Sequence, residues 1–163
     1  MKSMWFIVLV AAVFQSCGPR KSGGGTEGQG LVREEKPAGG IVWSYPSPWE
    51  RMHEIPMRVV TYVVPSYLED LEAAECAVFY FGEDQGGTVD DNINRWGSQF
   101  EGVGQANKSS MESGGMNITI VRISGTYLAP AGPMMESQGK KSTYKLLGSI
   151  VEAPEGLVFF KLT

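Results

Sequence analysis

Histidine, cysteine and clustered basic residues are scarce in this 163-residue sequence. His53 is the only histidine, and Cys17 and Cys76 are the only cysteines. One histidine cannot supply the imidazole ligands of most zinc sites, and two cysteines cannot form a multi-disulfide scaffold. The formal charge is −4, and no segment concentrates Lys and Arg as a nucleic-acid-binding face requires. We therefore expect no nucleic-acid partner and no cofactor.

The first residues predict an export signal. Lys2 precedes an unbroken apolar run from Met4 to Phe14, which is the order found in secretory signal peptides. The eleven residues of this run would rise about 16 Å as a helix, about half of the hydrocarbon thickness of a bilayer. We interpret residues 1–16 as a cleaved signal peptide because the run is too short to span a membrane.

Cys17 follows the apolar run and the small residue Ser16. This arrangement resembles the lipobox of bacterial lipoproteins, in which the cysteine carries fatty acyl chains such as palmitate and becomes the first mature residue. The resemblance implies lipid attachment at Cys17 and a location in the cell envelope, with Gly18 implying outer-membrane sorting in a Gram-negative host. The alternative is a conventional signal peptide that is cut nearby and leaves Cys17 unmodified.

A tether and one domain follow the cysteine. Residues 17–40 are rich in glycine and polar residues, which is typical of a flexible linker. Residues 41–163 are long enough for a single domain. If Cys17 is acylated, Cys76 has no intramolecular disulfide partner, and Ala74 and Val78 beside it predict a structural, half-buried strand position.

The domain is predicted to be α+β, with a mainly antiparallel sheet of five or six strands and one principal helix packed on it. The strands are assigned from β-branched and aromatic runs bounded by Gly and Pro. They are Met57–Val64, Cys76–Phe81, Asn117–Tyr127, Tyr144–Val151, Leu157–Leu162 and a short edge strand at Val42–Tyr45. The turn Pro154-Glu155-Gly156 predicts a hairpin of the last two strands, and Gly125 and Gly148 are predicted bulges.

The helix is predicted from about Val89 to Glu101. Thr88 and Asp91 have the spacing of a capping box, and Gly102 is placed to end the helix. Val89, Ile93, Trp96 and Phe100 form one apolar stripe that faces the sheet.

Polar residues of the same helix form the candidate binding surface. Asn92, Asn94, Arg95 and Gln99 are predicted to contact a small ligand or an envelope protein next to the loop Gly82–Gly87. For Arg95, the competing interpretation is a solvated or structural ion-pair partner such as that of Asp91.

Several motifs together resemble a known group of proteins. The most specific is Asn92-Ile93-Asn94-Arg95-Trp96 followed by Gln99, and the others are Trp49, Pro56-Met57-Arg58, Ala74-Glu75, Gly86-Gly87, Gly125-Thr126-Tyr127 and Phe159-Phe160-Lys161-Leu162-Thr163. Over roughly residues 43–163 they resemble uncharacterised bacterial exported proteins and lipoproteins, and the element order is similar to the PsbP/Mog1 sandwich. Members of that group continue beyond the Lys-Leu-Thr end, so either this sequence is a fragment or the domain lacks a covering helix.

The sequence thus predicts a membrane-tethered envelope lipoprotein that acts as a binding or assembly-accessory module, with neither catalytic residues nor a metal site. The alternative is a metal-dependent or hydrolytic periplasmic enzyme. It would use either the cluster Glu50, His53 and Glu54 or the acidic loop 83–91, whose carboxylates suit calcium in chemistry but not in EF-hand spacing.

Overall fold

The computed structural model describes residues 30–68, 71–102, 106–130 and 137–163. The predicted signal peptide, Cys17 and most of the predicted linker lie outside the described residues. The described residues form one helix, α1 (Val89–Gly97), and ten strands. The strands are β1 (Leu31–Arg33), β2 (Ser44–Pro46), β3 (Glu50–Arg51), β4 (Val60–Val64), β5 (Ala74–Tyr80), β6 (Phe100–Glu101), β7 (Asn107–Ser113), β8 (Met116–Pro130), β9 (Ser137–Ala153) and β10 (Gly156–Leu162).

One antiparallel sheet contains all the strands except β1 and β2. Its order is β3-β4-β5-β10-β9-β8-β6, and β7 also pairs with β8. The α+β class is confirmed, and so is the final hairpin, in which Gly156 lies opposite Ala153 across the predicted turn. The predicted count of five or six strands is too low, because β3 and β6 have only two residues each and β7 is polar and exposed. Such segments lack the apolar pattern by which strands are recognised.

The two faces of the sheet carry separate hydrophobic clusters. Side chains alternate along β10, so Val158 and Phe160 pack on one face and Phe159 packs on the other. The N-terminal segment covers the first face, with Trp43 buried in that cluster. Helix α1 covers the second face, where Trp96 is buried as predicted. Helix and N-terminal segment therefore enclose the sheet between them.

The boundary between the linker and the domain differs from the prediction. The sequence predicts that residues 31–40 belong to the flexible linker, but β1 pairs with β2, Glu34 is 3% exposed and Ala38 is buried in the core. Their composition is typical of a linker because Gly39 and Gly40 make a turn with positive φ between Ala38 and Ile41. The predicted edge strand Val42–Tyr45 is accordingly replaced by β2, which pairs with β1 outside the main sheet.

A buried hydrogen-bond network fixes this N-terminal segment to the sheet. The hydroxyl of Tyr62 on β4 donates to Glu34 Oε2 and accepts from Trp43 Nε1 at 3.0 Å. The other carboxylate oxygen of Glu34 accepts from the backbone N–H groups of the next two residues, each at 3.1 Å. Burial, followed by the bond to Glu34, raises the pKa of Tyr62 above its usual range. The carboxylate is therefore buried with its acceptor oxygens satisfied.

Helix α1 begins as predicted and ends earlier. Thr88 and Asp91 form the predicted capping box, with Asp91 N donating to Thr88 Oγ1 at 3.1 Å. The predicted end near Glu101 is wrong, because the helix ends at Gly97 with Ser98 as its C-cap. Phe100 stays in the predicted apolar stripe but lies in β6, where it pairs with β8.

The two glycines predicted as bulges have different roles. At Gly125, whose backbone φ is 158°, the register between β8 and β9 shifts. This position is therefore irregular, as predicted. Gly148 is not a bulge, because it lies in continuous register opposite Val121. Because Gly148 has no side chain, the Trp96 ring of α1 can pack directly against the sheet at this position.

Candidate functional site

A cavity of about 160 Å³ lies on the helix-covered face of the sheet. Its lining residues come from the segment just before β4, from β5, β8 and β10, and from the residue after β10. They are Arg58, Glu75, Ala77, Phe79, Tyr127, Lys161 and Thr163. Strand register brings them together, because Lys161 lies opposite Ala77 and Phe159 lies opposite Phe79. Charged side chains therefore share this face with the aromatic residues of the core.

An ion pair occupies one side of the cavity. Arg58 Nη1 donates to Glu75 Oε1 at 2.7 Å and to Thr61 Oγ1 at 3.2 Å. The guanidinium carbon lies 5.7 Å from the ring centroid of Phe79, a distance at which a cation is attracted to an aromatic face. Arg58 and Glu75 have 25% and 42% of their side chains exposed. The guanidinium is thus held in a defined position at the cavity.

Lys161 is in a different situation because its hydrogen-bond partners are uncharged. Its Nζ donates to Gln99 Oε1 at 2.7 Å and contacts the Tyr127 hydroxyl at 3.4 Å. The ion pairs found among the described residues do not include Lys161. Burial, together with the positive charges of Arg58 and Arg95, lowers its pKa to about 8 against the opposing effect of Glu75.

The structure brings one of the four predicted surface residues to this cavity. Gln99, just after the C-cap of α1, contacts Lys161, while Asn94 and Arg95 are exposed on the helix. Asn92 is not on the surface: it is 1% exposed, and its Nδ2 donates to the carbonyl oxygens of Gly86 and Thr88 at 2.8 Å. Asn92 therefore holds the loop before the helix in place and is not available to a ligand.

Arg95 adds positive charge near the cavity. Its Nη2 donates to Asn92 Oδ1, and its charge acts on Lys161. The predicted pairing of Arg95 with Asp91 is not among the ion pairs of the described residues, although the charge of Arg95 helps to lower the pKa of Asp91, after the hydrogen bonds from Thr88.

The residues of the enzyme alternative do not converge in the described parts of the chain. Glu50, His53 and Glu54 are all exposed, and Glu54 pairs with Lys36 at 3.5 Å. In the acidic loop, Asp91 belongs to the helix cap and Asp90 pairs with Lys108 at 2.9 Å. No group of three or more His, Cys, Asp or Glu side chains in the described residues is placed to hold a metal ion.

Cys76 matches its structural interpretation. It is 6% exposed on β5 and belongs to the cluster on the face opposite the cavity. Burial, with a smaller contribution from Glu75, raises the pKa of its thiol to about 12. The thiol is therefore protonated and shielded at neutral pH.

Sequence reasoning missed Arg58, Glu75 and Lys161 as members of one site. The available signal was an interruption of strand patterns: Lys161 stands within an otherwise apolar run of β10, and Glu75 within that of β5. A charge on a buried strand needs a partner or a ligand. The missing information was the register that makes these strands neighbours.

Comparisons with known proteins give no relative from which to transfer a function. No family model, no curated protein and no solved structure matches the chain. Among the described residues, no helix combines the length and the apolar character needed to cross a membrane.

Proposed function

We propose that this protein is a lipid-anchored lipoprotein of the bacterial cell envelope that acts as a binding or assembly-accessory module. Its attachment point is Cys17, which follows the predicted signal peptide. Its binding site is the cavity on the helix-covered face of the sheet, where Gln99 contacts the lining residue Lys161 and Arg95 adds positive charge nearby. Asn94, exposed on the helix, belongs to the proposed partner surface. The ligand or partner is recognised there by Arg58 and Lys161.

The single observation that carries the binding proposal is the placement of Lys161. A long cationic side chain at a half-buried position ordinarily has a carboxylate partner, because burial disfavours its charge. Lys161 instead contacts an amide and a hydroxyl, and it borders a cavity that also contains Arg58. A half-buried cation without a carboxylate partner is unfavourable for folding, and such arrangements are characteristic of functional sites.

The anchor is tested by intact mass spectrometry of the protein extracted from native membranes with detergent. We expect a mass equal to a chain beginning at Cys17 plus acyl groups, and we expect Cys17→Ser to lose the lipid and the membrane fraction. A wild-type chain cut elsewhere and without acyl groups would contradict the anchor and leave the binding proposal standing.

The binding site is tested by native mass spectrometry of the full-length protein purified from the same membranes. We expect a bound species that is reduced in the double variant Arg95→Ala/Gln99→Ala, while the melting temperature stays near that of the wild type. Lys145→Ala is the matched control, since Lys145 is exposed on β9 and does not line the cavity. A wild-type protein with no bound species would contradict binding at this cavity, and so would an equal amount of bound species in all variants.

A further inference from the structure

We infer that the cavity binds a small anion, with the carboxylate or phosphate group of the ligand placed between Arg58 and Lys161. This inference rests on the proposed binding function and names the chemistry of its ligand. It follows from the charge balance of the cavity, from the donors that remain available there and from the size of the space.

The charge balance is positive in a protein that is negative overall. Arg58 and Lys161 line the cavity together with Glu75, and Arg95 lies close enough to act on Lys161. Among the side chains that line the cavity, two are thus positive and one is negative, although the whole chain has a net charge of −4. Because the surrounding strands lower the local dielectric constant, an anion entering the cavity interacts with these charges more strongly than it would in water.

The two cations also have donors to offer. Within the part of the chain that the structure describes, both hydrogen bonds of Arg58 use Nη1, which leaves Nη2 as a further donor of the planar guanidinium, the group that matches carboxylate and phosphate. The ammonium of Lys161 has three N–H donors, and only the contact with Gln99 is as short as 2.7 Å. Bonds from these groups to an anion would be charge-assisted, which makes them stronger than bonds between neutral partners.

The size of the cavity limits the ligand. A cavity of about 150 Å³ accommodates a benzene molecule, and the volume here is about 160 Å³. The space therefore suits an acid of few heavy atoms, or the anionic end of a larger molecule. Ala77 contributes to this space, because a larger side chain at the same position on β5 would fill it.

Binding of an anion is coupled to the protonation of Lys161. An anion near Nζ favours the charged form of the amine, and only that charged form offers the full attraction. The pKa of the amine is about 8 without a ligand. The protonated fraction therefore falls about tenfold between pH 7 and pH 9, and anion affinity falls with it.

The test is calorimetric titration of the full-length protein in detergent with acetate and, separately, with inorganic phosphate. We expect Lys161→Met to weaken binding at pH 7 at least tenfold. Lys161→Arg, which keeps the charge, should retain more of the affinity. Lys145→Met is the matched control, because it removes the same charge from an exposed position outside the cavity and should leave the affinity within about twofold. Acetate does not titrate between pH 7 and pH 9, so its affinity should fall about tenfold in the wild type and stay constant in Lys161→Met.

The two titrations separate the ligand classes. Tighter binding of acetate than of phosphate assigns a carboxylate ligand, and the reverse order assigns a phosphate. Equal affinities of the wild type and Lys161→Met for both ions, or an equal loss in Lys145→Met, would overturn the inference. If neither ion binds while native mass spectrometry shows a species that depends on Arg95 and Gln99, the ligand is uncharged. The inference then fails and the proposed function stands.

Discussion

The indole ring of Trp96 on α1 lies directly against the backbone of Gly148 on β9. A Cβ atom built on Gly148 would come within 2.2 Å of Trp96 Cζ3 and 2.7 Å of Cε3, far inside van der Waals contact. The six-membered ring therefore occupies the volume that any side chain at position 148 would take. This contact determines how closely the helix approaches the sheet, and thus the position of Gln99 two residues beyond the end of α1.

Gly148→Ala is expected to destabilise the fold. The added methyl group must displace the buried indole, and overpacking of this kind costs about 1 to 3 kcal/mol or more in the free energy of unfolding. Chemical denaturation followed by tryptophan fluorescence measures the change. In the background Trp96→Leu, which removes the ring at its own cost, the additional effect of Gly148→Ala should shrink to less than half.

Gly97→Ala is the matched control for this prediction. Gly97 is helical, and a Cβ atom there meets nothing within 4 Å. Replacing a helical glycine with alanine should stabilise the protein by about 0.5 to 1 kcal/mol. Similar destabilisation by both substitutions would show that the contact with Trp96 is not what excludes a side chain at position 148.

Lys161 should make a contribution to stability that rises with pH. Its folded pKa of about 8 lies below the ordinary lysine value of 10.5, so between these values the unfolded chain binds more protons than the folded one. The contribution of Lys161 to stability therefore increases across pH 8 to 10.5, by roughly 1 to 3 kcal/mol. The buried thiol of Cys76, whose pKa is raised, acts in the opposite direction above pH 9, so the Lys161 contribution is read as the difference between the wild type and Lys161→Met. Urea unfolding at several pH values measures the increase.

Lys161→Met should remove this pH-dependent gain. The variant should also be at least as stable as the wild type at pH 7, because it no longer buries an ammonium without a carboxylate partner. Lys145→Met, on the exposed side of β9, should keep the wild-type pH profile. An unchanged profile in Lys161→Met would assign the gain to another group.

Tyr62→Phe should weaken the attachment of the N-terminal segment. The substitution removes the hydroxyl that donates to Glu34 and accepts from Trp43. The buried indole N–H then loses this acceptor, and Glu34 Oε2 keeps the ion pair with Arg51 Nε at 3.6 Å. The expected loss is about 1 to 3 kcal/mol in the free energy of unfolding. Tyr80→Phe, which removes an exposed hydroxyl bonded to Glu155 O, should cost less, and an equal cost would contradict the importance of the buried network.

Cys76 should react with thiol reagents only through opening of the sheet. The thiol is buried on β5 and its pKa is raised to about 12, so the thiolate needed for alkylation is scarce at pH 7. We expect slow labelling by a maleimide in buffer and rapid labelling in denaturing urea, both measured by mass spectrometry. Rapid labelling of the native protein would show that β5 opens locally.

The strands with the strongest apolar patterns were predictable from the sequence, and so was the start of the helix. The strands β5, β8 and β10 have β-branched and aromatic runs. Thr88 and Asp91 have the spacing of a capping box, which marks the start of α1. β7 was missed because it is polar and exposed, and its extended conformation follows from pairing with β8. The segment 31–40 was misassigned because burial of Glu34 and Ala38 depends on partners distant in sequence.

The sequence by itself determined the α+β class, the final hairpin and the apolar stripe of the helix, because periodicity, turns and caps are properties of neighbouring residues. It also placed Gln99 among the candidate binding residues. Only the tertiary structure decided that Gln99 meets Lys161, that Arg58 and Glu75 share their cavity, and that Asn92 is buried. The register between strands and the approach of α1 to Gly148 decide these contacts, and both depend on packing between segments far apart in the chain.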